Sequence, residues 1–86
     1  MSLEERVIKA RQAQTFTEHP LFEEGLMGLE NAYIKEWRSS HDPIRREECW
    51  IAVKVLSQFR QRFQAIVADG KMASLEIKQK ERNSGR

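Results

Sequence analysis

The chain has 86 residues, of which 40% are hydrophobic and 33% charged, and its formal net charge is +2. This length suits one small domain, because so short a chain buries only about 60% of its unfolded surface and cannot divide its core in two. The longest apolar run is Cys49 to Val53, whereas a membrane-spanning helix needs about 18 apolar residues. A lone cysteine excludes an internal disulfide. We therefore expect a charge-rich, soluble protein that stays in the cytoplasm.

The first predicted helix is short. Ser2 and Glu5 have the spacing of a capping box, in which each side chain binds a free backbone N–H near the other. Leu3, Val7 and Ala10 then recur on one face, so we predict a helix over 3–15 with a weak apolar side. Such a helix needs a larger neighbour.

The second predicted helix covers 20–39. Pro20 suits the first turn, where its missing N–H costs nothing. Large apolar residues then recur at helical spacing, and these core-facing positions are Phe22, Leu26, Leu29, Tyr33 and Trp37. Gly25 and Gly28 interrupt this helix, and either a close approach of another helix or a local kink would explain them.

The third predicted helix is the longest. Asp42 supplies a cap and Pro43 the first position. A heptad-like apolar pattern follows, formed by Cys49, Ala52, Leu56, Phe59, Phe63 and Ile66. Gly70 is read as the C-terminal cap, so we predict a helix over 43–69. The domain is then 1–70, and 71–86 forms a basic C-terminal helix or tail that should fray in a monomer.

The turn between the second and third helices contains residue types that occur in catalytic and metal sites, but helix capping and core packing explain them more simply. Cys49 occupies a core position, which favours an inert thiol. His19 and His41 each precede a helix that starts with proline, which favours capping over metal binding. We therefore predict no catalytic residue, no metal site, no cofactor and no small-molecule substrate. Arg45 and Arg46 are expected to pair with Glu48 or with a partner.

The predicted fold is all-α: a helical hairpin with a long third helix and a short N-terminal helix, completed by oligomerisation or a partner. Trp50 either packs beside Trp37 at the hairpin end or anchors another subunit. More apolar residues flank the long helix than one hairpin can cover, and this surplus predicts a protein interface. Its expected residues are Trp50, Ile51, Val55, Val67, Met72 and Leu75.

A second interpretation concerns charge. Residues 1–70 carry ten Lys/Arg against eleven Asp/Glu, whereas 71–86 carry five against two. An excess of this size either solvates a helix end or makes weak contact with nucleic acid. The residues expected in such a contact are Lys54, Arg60, Arg62, Lys71, Lys78, Lys80 and Arg82.

Two segments, "LENAYIKEW" and "RREECWIAVKVLSQFRQRFQAIVADGKMA", resemble a group of small, mostly uncharacterised α-helical proteins encoded by tailed bacteriophages and prophages. The shared features are an aromatic and tryptophan end to the middle helix, a charged turn, a Trp-containing start to a long helix, and "DGK" followed by a small apolar pair. The resemblance spans about residues 3–75 and contains no catalytic motif.

The resemblance implies a phage context, in virion assembly and genome packaging or in modulation of a host component. It implies residence in the host-cell cytoplasm or association with the virion. Together with the apolar surplus, it predicts a non-enzymatic assembly module that binds copies of itself or a larger phage protein. The alternatives are a nucleic-acid accessory protein that uses the basic tail and a small modulator that binds a host protein.

Overall fold

A computed structural model describes residues 1–84 of the chain, and these residues are almost entirely helical. Three helices follow one another: α1 (Leu3–Glu18), α2 (Pro20–Ser39) and α3 (Pro43–Ser84). No strand occurs in this range. The all-α prediction is confirmed, α2 has the predicted bounds, and α1 ends at Glu18 and not at about residue 15. No helix of the described chain is long and apolar enough to cross a membrane.

Side chains cap the start of each helix, as the sequence predicts for Ser2, His19 and Asp42. The Ser2 hydroxyl accepts a hydrogen bond from the Glu5 N–H at 3.1 Å. Nδ1 of His19 accepts from the Leu21 N–H at 3.1 Å, just before Pro20. The Asp42 carboxylate accepts from the Ile44 N–H at 3.0 Å. These bonds satisfy N–H groups that have no partner within the helix.

The predicted end of the third helix at Gly70 is wrong. α3 continues to Ser84 and has 42 residues, which is about 63 Å at 1.5 Å per residue. Gly70 has no positive φ, as a left-handed C-terminal cap would require. Most of the expected basic tail is thus helix, and its last two residues lie outside the described range.

Internal contacts divide the chain into two compact units, and this division differs from the boundary expected at residue 70. Unit 1 comprises Met1–Thr17 with Arg62–Arg86, and unit 2 comprises Glu18–Gln61. α3 therefore contributes its C-terminal part to unit 1 and its N-terminal part to unit 2.

In unit 1, α1 runs antiparallel to the C-terminal part of α3. Arg6 near the start of α1 binds Asp69, with Nη2 2.7 Å from Oδ1 and Nε 3.0 Å from Oδ2. The Phe16 ring near the end of α1 packs against the Phe63 ring at a 45° tilt, with ring centroids 5.4 Å apart. Next to Asp69, a Cβ added to Gly70 would overlap the Cβ of Ala10. Gly70 is glycine because α1 passes directly over it.

In unit 2, α2 runs antiparallel to the N-terminal part of α3. The Phe22 and Phe59 rings lie 6.2 Å apart, and at the other end Nε of Arg45 binds Oε1 of Glu36 at 2.5 Å. Gly25 and Gly28 behave differently from Gly70, because no described atom lies within 4 Å of a Cβ added to either. Of the two explanations for these glycines, a close approach of another helix does not occur within the described chain.

The buried core of the described chain is small. Its apolar side chains are Ala10, Ala13, Leu26, Cys49 and Ala73. Only Leu26 among them is a large apolar residue. Most large apolar side chains of the chain are half-buried or exposed. The helices thus bury little apolar surface between themselves.

Candidate protein-interaction surfaces

Unit 2 has an exposed apolar side that both of its helices build. On α2 a shallow hollow is lined by Glu24 and by five residues without a polar side chain, which are Leu21, Gly25, Gly28, Leu29 and Ala32. Their spacing of four, three, one and three places them on one flank of the helix. On α3, Ile51, Val55 and Phe59 recur every four residues. We name these eight residues the unit 2 apolar surface.

Contacts at both ends place the two halves of this surface on the same side of unit 2. At one end Phe59 meets Phe22, the neighbour of Leu21. At the other end Arg45 bridges two carboxylates, Glu36 and Glu48, at 2.5 and 2.9 Å. Glu36 lies one turn after Ala32 and Glu48 about one turn before Ile51, so the bridge joins the ends of the two rows.

The side chains of this surface are well exposed. Leu21 is 68% exposed, Val55 54% and Ile51 51%. Gly25 and Gly28 are exposed as well, and each costs the helix about 1 kcal/mol relative to alanine. Nothing in unit 2 compensates that cost by close packing. Glycines with large apolar side chains beside them form a shallow apolar groove, and such a groove is suited to receive a helix of another chain.

Trp37 and Trp50 form a second feature of unit 2. They line a groove together with Ile34, Arg38, Cys49 and Val53. The Arg46 guanidinium lies 4.3 Å from the centroid of the Trp37 ring and donates to the Trp37 carbonyl at 2.8 Å. Lys54 Nζ lies 5.9 Å from the Trp50 ring. Both cations lie within cation–π distance of a tryptophan ring near the corner between α2 and α3.

The predicted interface residues of unit 2 lie on two flanks of α3. Ile51 and Val55 belong to the unit 2 apolar surface, whereas Trp50 points to the other flank of α3, into the tryptophan groove. Val67, Met72 and Leu75 belong to unit 1. Met72 and Leu75 are about 60% exposed, and Val67 is half-buried. Periodicity alone had not separated these groups, because it does not define which flank a neighbouring helix covers.

The predicted nucleic-acid residues differ in whether carboxylates already bind them. Arg60 donates to Glu30 at 2.5 Å and to Glu23 at 2.9 Å, so two carboxylates already neutralise its charge. Arg62 and Lys54 are exposed, as are the cations of the C-terminal part of α3: Lys71, Lys78, Lys80 and Arg82. α3 continues without a break beyond Gly70. Lys71, Lys78 and Arg82 are therefore spaced by seven and four residues along one helix, which places them on the same side of it.

The charged groups around the corner act on one another. Arg45 lowers the pKa of Glu36 below its usual value, chiefly through their hydrogen bond. Burial raises the pKa of the Cys49 thiol, and the nearby Glu36 carboxylate adds to this. Cys49 is fully buried, which confirms its predicted core position. No cluster of His, Cys, Asp and Glu suited to a metal ion occurs among residues 1–84.

No protein-family model matches this sequence, and comparisons with curated proteins and with solved structures find no significant match.

Proposed function

We propose that the chain is a helical interaction module whose apolar surfaces are covered by other protein chains when it works. The small core carries this proposal. Burying a large apolar side chain contributes about 1.5–3 kcal/mol, and Leu26 is the only large apolar residue of the described chain that is buried. A domain with so little buried apolar surface gains most of its stability from contacts with a partner.

The exposed side chains support the same proposal. Many large apolar residues of the described chain are exposed, among them Leu21, Ile44, Met72 and Leu75 at 60–71%. Such an excess of exposed apolar side chains favours an interaction role over a self-contained domain.

The titratable groups that lie together have structural roles under this proposal. Arg6 joins α1 to α3 in unit 1, while Arg45 and Arg60 join α2 to α3 in unit 2. Each guanidinium binds a carboxylate of the neighbouring helix, which is a structural role. We therefore infer an assembly role without a reaction, a cofactor or a small-molecule substrate.

The biological setting rests on the sequence resemblance. The similarity to small phage and prophage proteins favours virion assembly or genome packaging, with the module in the host-cell cytoplasm or on the virion. Its partner would then be a copy of itself or a larger phage protein. Binding to a host protein would use the same apolar surfaces.

Nucleic-acid binding is the second candidate, and the continuous C-terminal part of α3 favours it. Lys71, Lys78 and Arg82 share one side of that helix, and none of them forms an ion pair within residues 1–84. A gel shift at two salt concentrations tests this role, because affinity through phosphate contacts falls steeply with salt. No shift at low salt would eliminate it.

Light scattering and thermal unfolding of the purified chain, measured over a range of concentrations, test the main proposal. We expect either a mass that rises with concentration or a monomer that unfolds gradually, because its core is incomplete. A strict monomer with a sharp, concentration-independent unfolding transition would contradict the proposal, since such a protein needs no partner.

A further inference from the structure

We propose that the unit 2 apolar surface binds a second copy of this chain, with α2 of one copy antiparallel to α2 of the other across a twofold axis. This inference rests on the proposed function, and it names the partner and the surface. Closed twofold dimers are the commonest protein oligomers, and their interface places the same patch of both copies face to face. The patch must therefore be complementary to itself.

The first argument is the shape of α2. Gly25, Gly28 and Ala32 form its low centre, and a Cβ added to either glycine meets no described atom within 4 Å. Leu21 and Leu29 rise beside them, 68% and 46% exposed. When two such helices run antiparallel about an axis next to Leu29, Leu29 of one copy lies opposite the stretch between Gly28 and Ala32 of the other. Small residues at these positions allow the two backbones to approach closely.

The second argument is charge. Glu24 and Lys35 are both exposed, and neither forms an ion pair within the described residues. They are eleven residues apart, which is close to three turns, so they lie on the same side of α2. A twofold axis that passes next to Leu29 places Glu24 of each copy opposite Lys35 of the other. The two ends of the interface are then closed by opposite charges.

The third argument is area. The surface carries five large apolar side chains that are 46–68% exposed, namely Leu21, Leu29, Ile51, Val55 and Phe59, and covering them would stabilise a dimer. Ile51 and Val55 of α3 extend the patch beyond α2. A dimer through this surface would cover exposed apolar residues of both helices of unit 2.

Charge reversal provides the test, with the dimer dissociation constant measured by sedimentation equilibrium and helicity checked by circular dichroism. Glu24→Lys and Lys35→Glu should each weaken dimerisation by about tenfold or more, because each substitution acts twice in a twofold interface. The double variant should recover most of the affinity, since the pairs reform with reversed sign. Glu81→Lys in unit 1, with the same change in net charge as Glu24→Lys, is the matched control and should dimerise like the unsubstituted chain.

Gly28→Leu is an independent steric test. Within one copy the new side chain meets open space, so the unit should still fold, while the close approach of two α2 helices is blocked. We expect a monomer at concentrations where the unsubstituted chain is dimeric.

Three results would overturn the inference, and they separate it from the proposed function. A dimer that is insensitive to Gly28→Leu and to both charge reversals would use another surface, and the assembly role would survive. A monomer that unfolds gradually would rule out the dimer, but the assembly role would stand with a partner other than a second copy. A stable monomer with a sharp transition would contradict both proposals.

Discussion

Gly70 of α3 lies directly beneath Ala10 of α1, and a Cβ added to Gly70 would overlap the Ala10 Cβ and come within 3.3 Å of the Arg6 carbonyl oxygen. This contact explains why a glycine stands inside a 42-residue helix that it would otherwise weaken. The conformational cost of the glycine is offset by the close packing of two helices.

Gly70→Ala should therefore destabilise unit 1 although alanine is the better helix former. Overpacking of a tight contact costs about 1–3 kcal/mol, more than the roughly 1 kcal/mol gained in helix propensity. Urea unfolding measures the difference. Ala10→Gly in the same chain removes the opposing methyl, so the double variant should lose less stability than the two single changes added together. Additive losses would show that the two residues are not in contact.

The Arg6–Asp69 pair should make unit 1 sensitive to acid. Its hydrogen bond holds the pKa of Asp69 below the usual value, so the stabilisation is complete above about pH 4, the ordinary aspartate pKa, and is lost as the pH falls through the lower folded value. Asp69→Asn should lower the melting temperature at neutral pH and flatten its decline in acid. Glu47→Gln, an exposed carboxylate without an ion pair in the described chain, should leave the profile unchanged.

Arg60 should contribute more to stability than its neighbour Arg62. It binds Glu23 and Glu30 and is 27% exposed at its side chain. Arg60→Met leaves the part-buried Glu30 without its cation, and such losses cost about 1–3 kcal/mol. Arg62→Met is the matched control, because Arg62 is exposed and forms no ion pair within residues 1–84, so it should change the free energy of unfolding by less than about 0.5 kcal/mol. Equal effects of the two changes would contradict the bridging role.

Cys49 should react slowly with thiol reagents at neutral pH. Its side chain is fully buried, and burial raises the pKa of the thiol, so little thiolate is present to react. The labelling rate should then report the opening of unit 2, and it should rise in denaturant. A chain carrying Cys49→Ser and Ser57→Cys places the thiol at an exposed position of α3 and should label rapidly. Equally fast labelling at both positions would show that Cys49 is not protected.

The helix starts were accessible to sequence reasoning because capping is local. Ser2, His19 and Asp42 each accept a hydrogen bond from a backbone N–H only two or three residues further along the chain. The periodicity of Phe22 and Leu26 likewise indicated the side of α2 that meets α3. These features need no knowledge of distant residues.

The candidate surface was predicted only in part. Exposure of Ile51 and Val55 agrees with the apolar surplus read from the sequence, but their separation from Trp50 depends on the side from which α2 approaches. Leu21, Gly25, Gly28 and Ala32 were missed as surface residues, and the prediction that Leu29 and Phe59 face the core is wrong, because each is 46% exposed. The spacing of the missed residues places them on one side of a helix, but two glycines and an alanine add too little hydrophobicity for a periodicity analysis to mark that side as apolar.

The sequence by itself determined an all-helical chain, the caps that begin its three helices and the excess of apolar residues over what they can bury, because each of these depends on residues within a few positions of one another. The tertiary structure decided that Gly70 continues α3, that Arg60 is neutralised by two carboxylates, and which flank of unit 2 remains uncovered. The reason is that close packing and ion pairing join residues 30 or more positions apart. Helix propensity is a property of each residue by itself and does not depend on such distant contacts.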